Sequence, residues 1–423
     1  MCLMKKLLSL LAAVALFPVA ANADVLNNVN LKGEIQTIAS DVNHNNALVG
    51  AYNTNTSVRV LAGLSAELVE DVTANLMFSY ANLWGQDDSR GNSVQNYWDS
   101  VRLVEANVVL HNLFCCLEAT VGRQFYGDED SAVMYFGPNH YNAEFNGYPP
   151  ALDAAKITYA DDVKALTLIA GKVNNTSGVG INRTTPWAPA PAAPLGATDY
   201  SVYGADFKLN VTEDVTAQVY GYDIRSANGT FLIANGDEHA GFYGAKLALN
   251  TPVRFSAEYA RNFGGNHLFK EHHATGHMVK LDVATDIEAV TARGTFYYAN
   301  GNFWALGNYT PGLLIGQRYG GMIYVFGNRF DEEGVALFNL GFDAKPADKW
   351  TVSLDGYTFQ DHRMDHSATL EADLTVKYAH NEYVELFAGA GYAKLTAWNG
   401  TAFNKTSYGS DNVKGQLGML IKF

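Results

Sequence analysis

Apolar and polar residues alternate strictly along many stretches of this chain, and this pattern constrains the fold more than any other feature of the sequence. In "SATLEADLTVKY" (367–378) the even-numbered positions are apolar and the odd-numbered positions from Thr369 to Lys377 are polar or charged. The stretches 243–250 and 253–260 alternate in the same way on either side of a turn. Because successive side chains of a strand point to opposite faces, the pattern predicts an antiparallel β-hairpin with one apolar and one charged face.

The lengths of these strands and of their connections separate two kinds of all-β protein. A soluble sandwich also alternates, but its strands average about 5–6 residues. The strands predicted here run to about 10–12 residues, the length of a tilted strand that crosses a bilayer. Short turns alternate with long loops along the chain, as in barrels with short periplasmic turns and longer extracellular loops.

Eighteen strands are predicted in this way, and the segment 299–333 could add or hide a pair, which gives a range of sixteen to twenty. The predicted ranges are 29–39, 57–69, 72–82, 100–110, 114–125, 154–161, 164–174, 199–211, 214–225, 240–250, 252–262, 275–285, 288–298, 334–344, 349–360, 367–379, 383–395 and 413–423. Hydrocarbon offers no hydrogen-bond partners, so a sheet in a bilayer must close on itself. The sequence therefore predicts an all-β, transmembrane antiparallel β-barrel, wide enough to hold an aqueous channel.

The N-terminal stretch has the pattern of a secretory leader. Lys5 and Lys6 precede an apolar run, and Ala21-Asn22-Ala23 fits a small-residue cleavage site. We expect residues 1–23 to be a cleaved signal peptide and residues 24–423 to form a single barrel domain. The net charge of −14 disfavours nucleic acid as a partner.

The chain ends in "VKGQLGMLIKF", an alternating strand with a terminal aromatic residue. Together with the leader and the aromatic hairpins, this ending resembles Gram-negative outer-membrane porins over the whole mature chain. The eighteen-strand count is similar to that of the alginate-export and substrate-specific carboxylate channels. In such porins the barrel-insertion machinery recognises the last strand, which implies that role for Leu417, Met419, Ile421 and Phe423. The resemblance also implies that the protein lies in the cell outer membrane, in contact with lipid and lipopolysaccharide. A homotrimer is one possible assembly state.

Strand parity assigns charged side chains of both signs to the predicted lumen. The selected pore-lining candidates are Arg59, Glu67, Lys246, Arg254, Glu258, Lys280 and Arg293. The two signs nearly balance on the wall while the loops are acidic, so we expect a water-filled pore with a weak preference for cations. Arg59, Arg254 and Arg293 are candidates for a basic constriction face, and the alternative is that they are paired wall residues without a selective role.

Two long loops are candidates for narrowing the pore. The third outer loop, 126–154, commonly folds inward in porins, and the resemblance implies that Asp128, Glu129, Asp130 and Glu144 form the acidic side of a constriction. The alternative is an acidic surface loop. In the second segment, 299–333, the aromatic residues could form a sugar-stacking surface or pack the loop against its neighbours. The aromatic residues in question are Phe303, Trp304 and Tyr309.

The sequence carries no motif for catalysis, so no enzyme activity, cofactor or metal site is expected. The histidines between His267 and His277 fit no standard metal motif. The expected function is passive diffusion of small hydrophilic solutes and ions through an outer-membrane channel. One alternative is a substrate-selective channel for acidic sugars or oligosaccharides, and another is a structural or adhesive surface protein.

Overall fold

The computed structural model describes most of the chain. The described residues are 27–43, 54–84, 101–114, 116–141, 147–173, 200–226, 239–264, 276–300, 303, 305–309, 311–314, 335–361, 364, 368–394 and 411–423. The predicted signal peptide lies outside them. Within them, no helix has the length and apolar character needed to cross a bilayer.

Eighteen β-strands follow one another along the described residues. They are β1 (Asn27–Asn43), β2 (Thr54–Val69), β3 (Val72–Trp84), β4 (Val101–Leu113), β5 (Leu117–Gln124), β6 (Leu152–Ala160), β7 (Lys164–Val173), β8 (Tyr200–Thr212), β9 (Val215–Ser226), β10 (His239–Asn250), β11 (Val253–Gly264), β12 (His277–Ile287), β13 (Val290–Ala299), β14 (Val335–Ala347), β15 (Trp350–Asp361), β16 (Thr369–Ala379), β17 (Val384–Lys394) and β18 (Asp411–Lys422).

Each strand pairs with the next along the chain, and β1 also pairs with β18. All these pairings are antiparallel, and the closing register runs from Glu34 opposite Lys422 to Asn43 opposite Val413. The sheet is therefore a closed barrel without a free edge, which leaves every strand with a neighbour on both sides. The predicted fold class and the count of eighteen strands are confirmed.

The two faces of the barrel follow the alternation of the sequence. On β16, Leu370 and Leu374 are exposed on the outside, whereas Glu371 and Asp373 are buried within the barrel. On β18, Leu417 is 65% exposed and the neighbouring Gln416 is 5% exposed. An apolar outer face and a polar inner face are the arrangement of barrels that cross a bilayer.

The closing seam involves the last residue of the chain. The Phe423 N–H donates to the Gly33 carbonyl at 3.0 Å, and the Gly33 N–H donates to the Phe423 carbonyl at 2.7 Å. A Cβ on Gly33 would come 2.8 Å from the Phe423 ring carbon Cζ, so glycine leaves the room that the terminal ring occupies. An aromatic ring at the end of a strand suits the membrane interface.

Deleting Phe423 should lower the yield of assembled barrel, because it removes both seam hydrogen bonds and the terminal ring. We expect a loss of about 1–3 kcal/mol for the two bonds and normal secretion across the inner membrane. The measurement is the ratio of heat-modifiable barrel to unfolded precursor in isolated membranes. Wild-type assembly of the deletion would contradict this role of the C-terminus.

Candidate functional site

The described start of the loop between β5 and β6 enters the lumen rather than covering the outside. This stretch, residues 125–141, is termed the first inward segment. Tyr126 and Phe136 exchange backbone hydrogen bonds of 2.8 and 2.7 Å, which folds the segment back on itself. Between these bonds, Ala132 to Met134 are buried in one apolar cluster with inward-facing wall residues such as Tyr222 and Tyr297. Apolar packing therefore holds this part of the loop inside the barrel.

A second stretch lies beside it in the lumen. The described residues of 303–314 are termed the second inward segment, and they pair in parallel with the first at Met134 and Leu306. The Leu306 N–H donates to Val133 at 2.8 Å, and the Asn308 N–H donates to Ser131 at 2.8 Å. A Cβ on Gly307 would collide with the backbone beside it, so this pairing requires glycine there. We call the two paired segments the partition.

One end of the partition is attached to β16. The Leu313 N–H donates to Asp373 Oδ2 at 2.8 Å, and the Leu314 N–H donates to Glu371 Oε1 at 2.7 Å. Gly312 precedes them with a φ of +79°, and a Cβ there would lie 2.6 Å from Glu371 Oε1. Two backbone N–H groups thus bind side-chain carboxyl oxygens of one strand, which attaches this end of the partition to β16.

The other end is attached to β1 and β2 through His140. The ring Nε2 lies 2.8 Å from Glu34 Oε2, and Nδ1 lies 2.7 Å from Glu129 Oε2. Glu34 Oε1 accepts a hydrogen bond of 2.7 Å from Arg59, whose side chain is fully buried. Burial alone would lower the pKa of His140, but the hydrogen bonds and charges of Glu129 and Glu34 outweigh it and raise the pKa to about 9.

Aromatic rings fill the contact between the partition and the wall. The Tyr126 hydroxyl lies 2.9 Å from the Tyr222 hydroxyl, and burial raises the pKa of Tyr126 to about 12. Tyr309 packs on Tyr297 with 5.3 Å between ring centroids. Phe303 is fully buried, and Trp304 lies outside the described residues. The contacts of Phe303 and Tyr309 are those of loop packing, the second of the two alternatives for this segment.

A cavity of about 370 Å³ remains between the partition and the wall formed by β12 to β18. Its described lining carries four side-chain carboxyl groups and three cationic side chains. The carboxyl groups are those of Asp130, Asp282, Asp355 and Asp373, and the cationic groups are Lys280, Arg293 and Lys377. Of the predicted acidic loop residues, Asp130 lines this cavity and Glu129 binds His140, whereas Asp128 is exposed and Glu144 lies outside the described residues.

The three arginines predicted as a basic face lie on three different strands. Arg59 lies on β2, whereas Arg254 and Arg293 lie on β11 and β13, both opposite Ala284 of β12. Each arginine forms a salt bridge with at least one carboxylate. Arg59 pairs with Glu34, and Arg254 pairs with Asp286 at 2.6 Å. Arg293 pairs with Asp343 at 2.8 Å and with Asp355 at 2.6 Å. These contacts are those of paired wall residues.

The other predicted pore-lining residues also lie in mixed-charge surroundings. Lys246 and Lys280 lie on either side of Glu258 in one row across three strands. Lys280 is 3.4 Å from Asp282 and 4.5 Å from the centroid of the Tyr309 ring. Glu67 accepts a hydrogen bond from Asn28 near the end of β2. The wall therefore alternates in sign rather than presenting a continuous basic track.

Sequence reasoning missed His140, Asp343 and the pairing of the two inward segments. His140 and Glu34 are 106 residues apart in sequence, and no local pattern connects them. The histidines His267, His272 and His273 lie outside the described residues, and His277 packs beside Tyr259 and Tyr298.

Comparison with known proteins identifies the fold. No protein-family model and no curated protein matches the sequence. Among solved structures, the barrel is similar to three Pseudomonas aeruginosa proteins, each 10% identical in sequence. They are OpdL (TM-score 0.61, covering 94% of this chain and 99% of that one), the outer membrane protein OprD (0.61, 94% and 94%) and OccK3, or OpdO (0.60, 95% and 97%). The resemblance to outer-membrane porins is thus confirmed at the level of the fold.

Proposed function

We propose that this protein is an outer-membrane channel for the passive diffusion of small hydrophilic solutes and ions. The observation that carries the proposal is the partition, which crosses the lumen of a closed barrel yet leaves a cavity of about 370 Å³ beside it. A barrel of this size is too wide for wall side chains to fill, so inward segments determine the remaining passage. Diffusion through such a passage needs no chemistry beyond water, fixed charges and a size limit.

The outer surface supports a location in the outer membrane. Leu31, Leu340 and Leu417 are each about 60% exposed on the outside of the barrel, in positions where hydrocarbon would cover them. The similarity to the outer membrane protein OprD supports the same location.

The charges support a weak preference for cations. Each of the three cationic side chains at the cavity interacts with a neighbouring group. Arg293 forms salt bridges with two carboxylates, and Lys280 forms one with Asp282. The Lys377 ammonium lies 3.5 Å from the centroid of the Tyr141 ring. Within the described part of the chain, Asp130 has neither a hydrogen bond nor an ion pair to its carboxylate. Uncompensated acid at a narrow passage attracts cations and repels anions.

Planar-bilayer recordings of the purified barrel test this function. We expect discrete, ohmic conductance steps and a reversal potential of cation-selective sign in a salt gradient. Asp130→Asn should reduce the cation-to-anion permeability ratio by about a factor of two. Asp348→Asn, at the exposed turn between β14 and β15, is the matched control and should leave the ratio unchanged.

Three results would contradict the proposal in different ways. Folded protein without conductance would contradict a channel. Small conductance that one solute class blocks would indicate a substrate-selective channel instead. Equal effects of Asp130→Asn and Asp348→Asn would contradict the role of the cavity carboxylate in selectivity.

A further inference from the structure

The last residues of the first inward segment are held to the wall by an unbroken chain of charged side chains, here termed the His140 network. It runs from Arg59 of β2 to Glu34 of β1, then to His140 and back to Glu129 of the same segment. Positive and negative groups alternate along it. The closest side-chain contacts are 2.7 Å between Arg59 and Glu34, 2.8 Å between Glu34 and His140, and 2.7 Å between His140 and Glu129. The His140 backbone N–H also donates to the Glu129 carboxylate at 2.6 Å.

This geometry requires a charged histidine. A carboxylate can only accept hydrogen bonds, and each ring nitrogen of His140 lies against a carboxylate oxygen. Both nitrogens must therefore carry a proton, which makes the ring an imidazolium. A neutral ring would turn one lone pair toward a carboxylate oxygen less than 3 Å away, in surroundings where the Glu34 side chain is only 10% exposed. Such a contact is repulsive at low local dielectric.

Two residues of the His140 network are each followed in the sequence by a residue that lines the cavity. Tyr141 follows His140 and Asp130 follows Glu129, and both Tyr141 and Asp130 line the cavity. The Tyr141 ring also contacts Phe387 of β17, with 5.1 Å between centroids. Moving His140 away from Glu34 would therefore displace two groups that border the passage.

We propose that His140 is a positioning residue of the channel, whose imidazolium attaches the first inward segment to the β1–β2 wall and thereby sets the width of the passage. The inference rests on the proposed channel function. It adds a pH-sensitive attachment at one end of the partition, whose other end is held by the hydrogen bonds of the Leu313 and Leu314 N–H groups to Asp373 and Glu371.

The direction of the pH dependence follows from the groups around the ring. Glu34 from β1 and Glu129 from the segment face His140 directly, Arg59 from β2 acts through Glu34, and Lys377 of β16 and Glu385 of β17 lie near Tyr141. The pKa of His140 is raised from 6.5 to about 9. The attachment is thus fully present below pH 6.5, weakens above it, and is lost as the pH passes about 9.

Single-channel conductance measured from pH 6 to pH 10 tests the inference. The wild-type step should grow about twofold as the passage widens, with a midpoint near pH 9. His140→Gln, which can donate to only one of the two carboxylates, should show the larger step already at pH 7 and little change with pH. Glu129→Gln, on the inward segment, should behave in the same direction.

His111→Gln is the matched control. His111 of β4 also contacts a carboxylate, Glu118 at 3.2 Å, but its contacts are with β3 and β5 rather than with the partition. It should keep the wild-type conductance and pH curve. Heat-modifiable migration on gels confirms that each variant is a folded barrel before it is compared.

The possible outcomes distinguish the positioning role of His140 from the channel function on which it rests. Conducting channels whose steps do not respond to pH or to His140→Gln would overturn the positioning role and leave the channel function standing. Folded protein that never conducts would overturn the function, and the attachment would then be decided by NMR titration of ¹⁵N-labelled histidine. A His140 resonance that titrates near pH 9 supports the attachment, and one near pH 6.5 overturns it.

Discussion

Replacing residues 128–140 with a short Gly-Ser linker should raise the single-channel conductance about threefold or more. The exchange removes the apolar residues Ala132 to Met134 that pack on the wall, and it removes His140 with its bond to Glu34. A barrel of eighteen strands without an inward segment holds a wide aqueous channel. We expect this increase because the partition, rather than the wall, limits the passage.

The linker variant also affects the second inward segment. Leu306 and Asn308 lose the backbone partners Val133 and Ser131. The attachment of Leu313 and Leu314 to β16 and the packing of Tyr309 on Tyr297 remain. Current noise should therefore increase together with the mean conductance. The control inserts the same linker at the Asp348 turn, where it leaves the partition intact. An unchanged conductance of the linker variant would show that the partition does not limit flow.

An arginine on the lipid face should have the largest effect on stability. Leu340 lies in the middle of β14 and is 58% exposed on the outside. A cationic side chain at the bilayer midplane costs about 2–4 kcal/mol of folding free energy. Leu340→Arg should therefore lower the equilibrium constant for folding about thirtyfold or more. Reversible unfolding of the barrel by urea in lipid vesicles measures this difference.

The neighbouring residue supplies the control for the lipid-face experiment. Asn339 points into the lumen, where its amide donates to Asp355 at 3.0 Å. Asn339→Arg places the same charge one residue away but beside a carboxylate and water, so its cost should stay within about 1 kcal/mol. If the two arginines destabilised the barrel equally, the assignment of the two faces would be wrong.

The sequence was sufficient for the barrel because one simple pattern specifies it. Alternation identified every strand, and burial alternates as expected from Thr369 to Leu374 of β16 and from Asp411 to Leu417 of β18. Strand ends were less predictable: β1 reaches Asn43, beyond the predicted end at residue 39, because its last residues pair with β18 without the apolar alternation.

The interior of the lumen was much less predictable. The inward segments have no periodicity, and their pairing at Met134 and Leu306 joins residues far apart in the chain. Parity alone placed Arg293 in the lumen but could not show that Asp343 and Asp355 neutralise it. Contacts between distant loops and walls depend on tertiary packing, which a local pattern does not encode.

Permeation of graded neutral sugars into proteoliposomes is the most direct test of a channel narrowed by its own partition. Wild-type protein should admit monosaccharides and exclude larger oligosaccharides, because the cavity beside the partition is only about 370 Å³. The linker variant should admit the larger sugars as well. Wild-type vesicles that admit no sugar, or wild-type and linker variants with the same size limit, would contradict the account.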